Sequence, residues 1–366
     1  MRLAIPSLVL FIYIVVSLIS FLPCRPLAKV FASIALLVIS QKYLIYERIG
    51  GSFIAPGLPV PVLLVMEILY ASMIILAFLL LLKDGLALLL WLGRWLGSAW
   101  QLPLTPAIRS VGLVAAARVL SIYGTWQSVR VPDVRTVEIT LPKLPVSLDG
   151  FSIVQLADIH IGPFLKGAWL RKVVETTNAL SPDLVAVTGD MIDGSPEELK
   201  DEVAPFGDLR AKYGVYGITG NHEYYFRAGE WLPVFAKLGI TMLHNDHRIL
   251  QVAGGGELVI AGVPDQAALH YRGAGPNIAT ALAGAPDAVR VLMAHRPNGI
   301  SGRNKADLQL SGHTHGGHLF FLKWLISTFN GGLAGGLYEL DGMKLYVSPG
   351  TGLWAGFSCR LGVPAE

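Results

Sequence analysis

The chain of 366 residues is unusually apolar: 53% of its residues are hydrophobic and only 15% are charged, with a formal net charge of +3. Length alone predicts about two domains, and a charged share well below the roughly one quarter of an ordinary soluble protein excludes a chain that is soluble throughout. The two cysteines, Cys24 and Cys359, exclude a disulfide framework and a thiolate metal site. Residues 1–127 hold nine Lys/Arg and three Asp/Glu, a net +6, whereas the remainder holds twenty and twenty-three, a net −3. An apolar basic part therefore precedes an ordinary globular part.

The apolar part, residues 1–126, has the pattern of a membrane region. A membrane-crossing helix needs about 20 mostly apolar residues. We predict four such helices, with three or five as the alternatives: residues 3–22, 26–46, 58–82 and 106–122. Residues 85–97 are short and Trp-flanked, which favours a helix that lies in the membrane interface. The first span lacks a small-residue cleavage site, so a cleaved signal peptide is not expected.

Two features of this region stay open at the level of sequence. Lys and Arg flank the predicted spans on both sides in similar numbers, so the positive-inside rule gives no orientation. Glu67 lies near one end of the third predicted span. An acid inside a span costs free energy and is often functional, but a headgroup-facing role or a helix-pairing role fits its position at least as well.

The pattern changes after the membrane region. Residues 127–149 are predicted to form a linker with the first strand at 136–141, and residues 150–366 alternate between strand and helix patterns. Helical periodicity covers residues 169–180, 197–213 and 229–238. Five apolar strands each end in a short polar loop holding Asp, Asn or His: "FSIVQLA", "DLVAVTG", "VYGITG", "VRVLMA" and "DLQLSG". This alternation predicts an α/β domain.

The polar loops after these strands predict one site. In open α/β sheets, sites form beyond the carboxyl ends of the strands. We therefore expect the loops to bring together one set of side chains: Asp158, His160, Asp190, Asn221, His222, His295, His313 and His315. Each piece alone has an ordinary explanation as a turn, a helix cap or a surface histidine. Together they predict a metal centre, and a set of nitrogen and oxygen ligands suits Zn, Mn, Fe or Co.

The motif order "DIH", "GDMID", "GNHE", "AHRP" and "GHTHGG" resembles that of the calcineurin-like metallophosphoesterase family, over residues 141–366. The phrases "LADIHIG" and "RLGVPAE" and the apolar first part resemble its membrane-attached bacterial branch. The resemblance implies a four-layer α/β/β/α sandwich after the transmembrane helices, and two divalent metal ions, Mn, Fe, Zn or similar. Within this branch the chain is similar to bacterial phosphodiesterases, including a lipid A pathway enzyme that hydrolyses UDP-diacylglucosamine.

The resemblance also implies a role for each residue. One metal ion would be bound by Asp158, His160, Asp190 and His315, and the second by Asp190, Asn221, His295 and His313, with Asp190 as the bridge. A hydroxide bridging the two ions would attack phosphorus. His222, which binds no metal in this scheme, would stabilise the phosphate or protonate the leaving oxygen. Asp193 would orient one of the metal ligands.

Two positions depart from the family pattern. Gln often follows the "GHTHGG" phrase, where this chain has His318, and Asn often follows the lone histidine, where it has Arg296. His318 is expected to be a plain surface residue, with a supporting group behind the metal ligands or a substrate contact as the alternatives. Arg296 is predicted either to bind a phosphate or to form a surface ion pair.

The sequence thus predicts a membrane-anchored metallophosphoesterase that hydrolyses phosphoester or pyrophosphate bonds. Residues 319–329, "LFFLKWLISTF", form either an ordinary buried element or an apolar lip that faces a bilayer. A lip favours a lipid-linked substrate, such as UDP-diacylglucosamine or a phospholipid. The expected partners are membrane lipids and this phosphate-containing substrate, with no nucleic acid, in a multi-pass protein of the bacterial cell membrane. The alternatives are a non-catalytic membrane receptor or scaffold, and a two-metal amide hydrolase, which the Asp/Asn/His order disfavours.

Overall fold

The computed structural model describes residues 4–299, 305–340 and 342–366. Leu3, where the first predicted span starts, lies outside the described residues. The chain divides into two compact units. The first unit is Met1–Gln127 together with Gly356–Cys359, and the second is Ser128–Ala355 together with Arg360–Glu366. The boundary after Gln127 falls where the composition of the sequence changes.

The described part of the first unit contains five α-helices. They are α1 Ala4–Ser17, α2 Pro26–Ser40, α3 Lys42–Ile49, α4 Val60–Trp95 and α5 Pro106–Val129, whose last two residues belong to the second unit. Three described helices are long and apolar enough to cross a membrane: Ala4–Phe21, Val60–Trp95 and Pro106–Val129. The pair α2 and α3 is bent by 60° and adds a fourth span if it crosses as one. The number of four spans therefore stays a prediction.

Helix α4 is longer than the sequence pattern indicates. It has 36 residues and includes most of the segment expected to form a separate interfacial helix. At 1.5 Å per residue its length is about 54 Å, which exceeds the roughly 30 Å of a bilayer's hydrocarbon core. The two glycines in this stretch, Gly85 and Gly93, each cost a helix only about 1 kcal/mol, and the leucines around them favour continuation. The helix therefore runs on to Trp95 without a break.

Glu67 on α4 is a helix-pairing residue, and the headgroup-facing alternative is wrong. Its carboxylate is buried and accepts hydrogen bonds from Lys42 Nζ at 2.9 and 3.0 Å and from Tyr46 Oη at 2.8 Å. Both partners lie on α3. The same two side chains also bind the segment Gly356–Cys359 of the first unit. Lys42 Nζ donates to Gly356 O at 2.8 Å, and Ser358 N donates to Glu67 Oε2 at 3.0 Å. The ion pair thus joins three segments of this unit.

The second unit contains two β-sheets. The first has four parallel strands in the order β1-β2-β3-β4: β1 Ile153–Leu156, β2 Leu184–Val187, β3 Val215–Gly217 and β4 Ile240–Met242. The second has six strands in the order β5-β6-β7-β8-β10-β9: β5 Asp246–Val252, β6 Gly256–Gly262, β7 Val289–Met293, β8 Leu308–Ser311, β9 Gly336–Leu340 and β10 Met343–Val347. Its four inner strands are parallel, and β5 and β9 are antiparallel edges.

The described part of the second unit contains six further α-helices. They are α6 Gly167–Ala179, α7 Pro196–Leu199, α8 Asn221–Tyr225, α9 Ala228–Lys237, α10 Ile278–Ala281 and α11 Lys323–Phe329. The predicted helix at 197–213 is wrong, because only α7 and a 3-10 turn at Ala204–Asp208 occupy it. Pro205 explains the break, since proline in a helix interior removes a backbone hydrogen bond.

Alternate residues of each inner strand face opposite layers, as strand geometry requires. Val185 and Val187 on β2 pack with Leu170 of α6 and Trp231 of α9. Leu184 and Ala186 on the same strand face the second sheet. The other face of the second sheet packs against α10. The unit is therefore the predicted four-layer α/β/β/α sandwich.

The strand expected at 136–141 does not form. These residues have no assigned secondary structure and make no ladder with either sheet. Val137 and Ile139 nevertheless pack against the core between the two sheets. The alternating apolar pattern is thus explained by burial of one face of an unpaired segment, which periodicity alone does not distinguish from a strand.

Candidate metal centre

The carboxyl ends of five strands from both sheets carry the predicted site residues. Asp158 and His160 follow β1, Asp190 follows β2, and Asn221 follows β3; His295 follows β7, while His313 and His315 follow β8. Hydrogen bonds join these loops directly. His160 N donates to Asp190 O at 3.0 Å, and His313 N donates to both carboxylate oxygens of Asp158 at 3.0 Å. The two sheets therefore bring their loops to one place.

The described residues include three groups of possible metal ligands. Within each group the ligand atoms lie within 4.8 Å of one another: Asp158, His160 and His315; Asp190, His295 and His313; and His160, Asp193 and His222. Asp190 belongs to the second group and also lies near His160 of the first. Its Oδ2 is 3.2 Å from His295 Nε2 and 3.9 Å from His160 Nε2. Its role as a bridge between two cations stays a prediction.

The donor atoms fit a pair of divalent metal ions. His160 Nε2 and His295 Nε2 are buried, and neither has a hydrogen-bond partner among the described residues. Burial lowers the pKa of His313 and of His315 well below the ordinary histidine value, and nearby positive charge adds to this. Both rings are therefore neutral, with lone pairs to offer. Imidazole nitrogens and carboxylate oxygens at these positions are the ligands that Zn, Mn and Fe prefer.

The backbone of the site is strained at its predicted ligands. Five of them have positive φ angles: Asp158 51°, His160 52°, Asp190 52°, His313 71° and His315 48°. Non-glycine residues rarely adopt this left-handed region, which costs of the order of 1–3 kcal/mol each and persists mainly at functional sites. The concentration of positive φ angles in these loops is typical of a binding site.

Two glycines leave room for the carboxylates. A Cβ at Gly312 would lie 2.2 Å from Asp158 Oδ2, and a Cβ at Gly220 would lie 2.1 Å from Asp190 Oδ1. Both distances are far below van der Waals contact. Each glycine therefore allows one loop to approach the carboxylate presented by another.

Asp193 holds two imidazoles at once. Its Oδ1 lies 3.1 Å from His160 Nδ1 and 2.5 Å from His222 Nδ1. Burial opposes its charge, but the two histidines outweigh burial and lower the pKa of Asp193 below its ordinary value. Burial also opposes the charge of His222, but Asp190 and Asp193 outweigh it and raise the pKa of His222 to about 9. Asp193 thus contacts both rings at Nδ1, while their Nε2 atoms lie 3.9 Å (His160) and 3.8 Å (His222) from Asp190 Oδ2. Its role in orienting a metal ligand stays a prediction.

Glu223 is a site residue that sequence reasoning missed. Its buried carboxylate accepts hydrogen bonds from Gly220 N at 2.7 Å, Asp190 N at 3.0 Å and Met191 N at 2.7 Å. It therefore joins the loop after β2 to the start of α8. The available signal was its place three residues after Gly220, the position of the glutamate in a helix capping box.

The two departures from the family pattern have different surroundings. Arg296 Nε donates to the buried carboxylate of Asp265 at 2.8 Å, and its Nη2 lies 3.4 Å from Asn221 Oδ1. The ion pair predicted for Arg296 is present, but its partner is buried and it points the guanidinium at a predicted ligand. The His318 ring lies 5.0 Å from the His315 ring. His318 is thus half-buried beside the site, so the expectation of a plain surface residue is wrong.

The apolar segment after the last histidines divides into a buried and an exposed part. Leu319 is buried, but α11 has no buried residue. Phe320 is 53% exposed, Trp324 76% and Phe329 75%. The expectation of an ordinary buried element therefore holds for Leu319 alone. We call the exposed set Phe320, Trp324, Leu325 and Phe329 the aromatic lip.

Known proteins share this domain. The family model described as Calcineurin-like phosphoesterase matches residues 151–317. "Transmembrane protein with metallophosphoesterase domain" from Bos taurus is 36% identical over 317 residues, which cover 81% of this chain and 70% of that protein. The Danio rerio protein of the same name is 36% identical over 259 residues, covering 68% of this chain and 59% of that protein.

A bacterial relative is similar to about the same degree. An uncharacterized metallophosphoesterase from Campylobacter jejuni is 35% identical over 258 residues, covering 68% of this chain and 66% of that protein. This chain therefore spans between 59% and 70% of the length of these three relatives. Similarity at this level extends well beyond the short motifs. The chain belongs to the calcineurin-like phosphoesterase family, a family of phosphoric ester hydrolases that use two divalent metal ions.

Proposed function

We propose that this protein is a membrane-anchored phosphoesterase that hydrolyses phosphoester or pyrophosphate bonds at a centre of two metal ions. The observation that carries the proposal is that Asp190, a member of one group of possible metal ligands, also lies 3.9 Å from His160 Nε2 of a second group. One ion would be held by Asp158, His160, Asp190 and His315, and the other by Asp190, Asn221, His295 and His313. Two divalent ions supply Lewis-acid stabilisation of developing negative charge and make water a better nucleophile.

His222 is proposed as the proton donor of the reaction. Asp193 accepts a hydrogen bond from its Nδ1, which fixes the ring and leaves Nε2 as the nitrogen that faces the site, 3.8 Å from Asp190 Oδ2. A proton held at Nε2 can pass to the leaving oxygen or bind a phosphate oxygen. Neutral leaving groups depart more easily than alkoxides, so this proton lowers the barrier to breaking the phosphorus–oxygen bond.

Arg296 is proposed to bind a non-bridging phosphate oxygen. Asp265 fixes the guanidinium beside Asn221, which is one of the proposed ligands. The side chain keeps about a quarter of its surface accessible, so the guanidinium is open to a bound substrate. Arginine suits this task because its planar fork of N–H donors matches the geometry of a phosphate.

The substrate is proposed to be a phosphoester of a membrane lipid, such as a phospholipid or UDP-diacylglucosamine. Support comes from the aromatic lip, because α11 begins eight residues after the proposed ligand His315. Exposed apolar surface beside a polar site favours contact with an amphipathic partner. The helices of the first unit that are long and apolar enough to cross a membrane would anchor the protein in the bilayer that contains such a lipid. We place the protein in a bacterial cell membrane, in line with its Campylobacter jejuni relative.

The test uses the full chain in detergent or nanodiscs, loaded in turn with Mn, Fe, Zn and Ni. The probes are an aryl phosphodiester, an aryl phosphomonoester and a total lipid extract read by mass spectrometry. We expect metal-dependent hydrolysis, lost in Asp190→Asn and kept in the control Asp246→Asn, a surface carboxylate on β5. A protein that binds the metals and the lipid but hydrolyses no probe would instead be the non-catalytic receptor or scaffold.

A further inference from the structure

Arg360 is a buried cation that the proposed reaction does not use. Its side chain is only 1% exposed. Its Nη2 donates to three backbone carbonyls, those of Pro349 at 2.9 Å, Gly350 at 3.2 Å and Gly352 at 2.7 Å. One nitrogen therefore fastens the whole turn Pro349–Gly352, which follows β10.

This turn lies directly against the loop that carries the first two proposed ligands. Thr351 N donates to Ala157 O at 2.7 Å, and Ala157 N donates to Thr351 Oγ1 at 3.3 Å. Gly352 N donates to Asp158 O at 3.0 Å. The fit leaves no space, because a Cβ on Gly352 would lie 2.1 Å from Ile159 O. The turn thus fixes the peptide planes on both sides of Asp158.

The turn also touches a ligand from the second sheet. A Cβ on Gly350 would lie 3.1 Å from Asp158 Cβ, 3.2 Å from His315 Nδ1 and 3.3 Å from Arg360 Nη2. Asp158 and His315 are proposed ligands of the same cation. The turn therefore lies behind both of them, with Arg360 next to it.

Burial of this guanidinium is costly for the fold. Burial lowers the pKa of Arg360 to about 10, even though Asp158 and Glu366 act in the opposite direction. Its Nε and Nη1 have no hydrogen-bond partner among the described residues. A buried charge with unsatisfied donors is destabilising, and an apolar side chain would fill the same volume at lower cost. Packing alone therefore does not explain an arginine here.

We propose that Arg360 is a positioning residue of the metal centre. By holding the turn Pro349–Gly352, it keeps Asp158 and His160 in the left-handed backbone conformation that aims both side chains at one cation. Without it, the strained φ angles of 51° and 52° at these residues relax. The inference rests on the proposed metal centre and adds to it a residue that contacts neither metal nor substrate.

The experiment measures metal binding and backbone exchange in the full chain in detergent. The variants are Arg360→Met and Arg360→Lys, and Mn²⁺ affinity is determined with a competing chelator. We expect Arg360→Met to weaken Mn²⁺ binding by about 10–100-fold, the usual effect of losing a group that orients a ligand. Amide hydrogen exchange at Thr351 and Gly352 rises in the same variant. Arg360→Lys recovers part of both properties, because an ammonium also offers donors to these carbonyls.

A matched control is Arg290→Met. Arg290 on β7 also donates to backbone carbonyls, those of Pro286 at 2.8 Å and Lys305 at 3.5 Å, but touches no proposed ligand. Its loss leaves Mn²⁺ affinity and the exchange at Thr351 unchanged. Wild-type affinity and exchange in Arg360→Met would overturn the proposal.

A second variant keeps the proposal testable if Arg360→Met does not fold. Gly352→Ala forces the same turn away from Ile159 O while leaving Arg360 intact, and it too should weaken Mn²⁺ binding. Wild-type affinity in Gly352→Ala also contradicts the proposal. The readout separates this inference from the proposed function, because a protein that binds Mn²⁺ but hydrolyses nothing refutes the function and leaves the role of Arg360 standing.

Discussion

His222 Nδ1 lies 2.5 Å from Asp193 Oδ1, in a buried pair at the ends of two neighbouring strands. The same carboxylate oxygen holds His160, a proposed metal ligand, at 3.1 Å. One side chain therefore contacts both a proposed metal ligand and the proposed proton donor. The two functions are separable by mutation, because His222 can be removed without removing His160 or Asp193.

The variants His222→Ala and Asp193→Asn should have different effects on activity and on metal binding. We expect His222→Ala to lower kcat by about 10²–10⁴-fold, the range for loss of a general acid, with bound metal unchanged. Asp193→Asn should lower both activity and metal affinity by about 10–100-fold, because it releases His160 as well. Steady-state kinetics and elemental analysis of the purified protein measure the two effects. Loss of metal in His222→Ala would contradict the assignment.

The metal-free protein should lose stability as pH rises. Burial opposes the charges of His222 and His295, but nearby carboxylates, Asp190 foremost, outweigh it and raise their pKa values to about 9 and about 10. Unfolded histidine titrates near 6.5, so folding binds protons between these limits. The stabilisation is complete below about pH 6.5 and disappears as pH approaches about 10. Asp190 and Asp193, whose pKa values are lowered, stay ionised throughout this range.

The melting temperature measured in chelator against pH tests this expectation. It should fall across the window from about pH 6.5 to about pH 10. Protein saturated with Mn²⁺ is the control, because metal replaces the protons at His295 and should flatten the curve. Equal slopes with and without metal would show that these histidines do not carry the effect.

The ion pair of Lys42 and Glu67 should be required for the stability of the first unit. Both side chains are buried, with exposures of 0% and 1%. Glu67→Gln leaves a buried ammonium without its counter-charge, a change that typically costs about 3–5 kcal/mol. Unfolding of the detergent-solubilised protein measures the loss. Asp84→Asn on the same helix is the control, because its ion pair with Lys83 is partly exposed and worth only about 0–1 kcal/mol.

A double variant sharpens this test. Lys42→Met combined with Glu67→Met removes both charges and should be less destabilising than the sum of the two single changes. Additive effects would show that the two residues act independently. The pair also holds Gly356 and Ser358, so release of that segment to a protease should accompany the loss.

Gly312→Ala should abolish metal binding at the first proposed cation. The added methyl group would lie 2.2 Å from Asp158 Oδ2 and must displace that carboxylate. Activity should fall to background, and calorimetry with Mn²⁺ should show fewer sites. Gly229→Ala in α9 is the control, because a Cβ there meets nothing within 4 Å and alanine favours a helix by up to about 1 kcal/mol. Full metal binding by Gly312→Ala would mean that the Asp158 loop is not where the proposal requires it.

The aromatic lip should matter for lipid substrates only. Trp324→Ser and Phe329→Ser remove two side chains that are 76% and 75% exposed, and neither belongs to the proposed metal centre. Hydrolysis of a lipid phosphoester presented in vesicles should fall several-fold, with hydrolysis of a soluble aryl phosphodiester unchanged. Leu180→Ser, an exposed apolar residue at the end of α6, is the control. A parallel loss with both substrates, or no loss with either, would exclude the lip from lipid recognition.

Local pattern was sufficient for the strands and loops that build the site. The five motif loops follow β1, β2, β3, β7 and β8 as expected, because buried strands have short apolar runs and polar loops end them. Local pattern misled where a segment's partners decide its state. Residues 136–141 alternate as a strand does yet pair with neither sheet, and residues 197–213 contain Pro205 within a helical pattern.

The partners of the buried charged residues could not be predicted from the sequence for the same reason. Glu67 finds Lys42 on α3 and the backbone of Ser358, which is 291 residues away in sequence. Glu223 and Arg360 bind backbone groups of other loops. Nothing in the local sequence marks such contacts, since hydrogen bonds to backbone place no constraint on the type of residue that provides them.

The sequence by itself determined the family, the α/β class and the identity of the polar side chains beyond the strands, because these depend on residue type and on spacing along the chain. Only the tertiary structure decided that Asp190 lies close to His160 as well as to His295, that Asp193 is shared by two imidazoles, and that α11 leaves its aromatic residues exposed. These are distances between atoms brought together by the packing of two sheets. Because packing depends on the whole chain, these distances cannot be predicted from any short segment of the sequence.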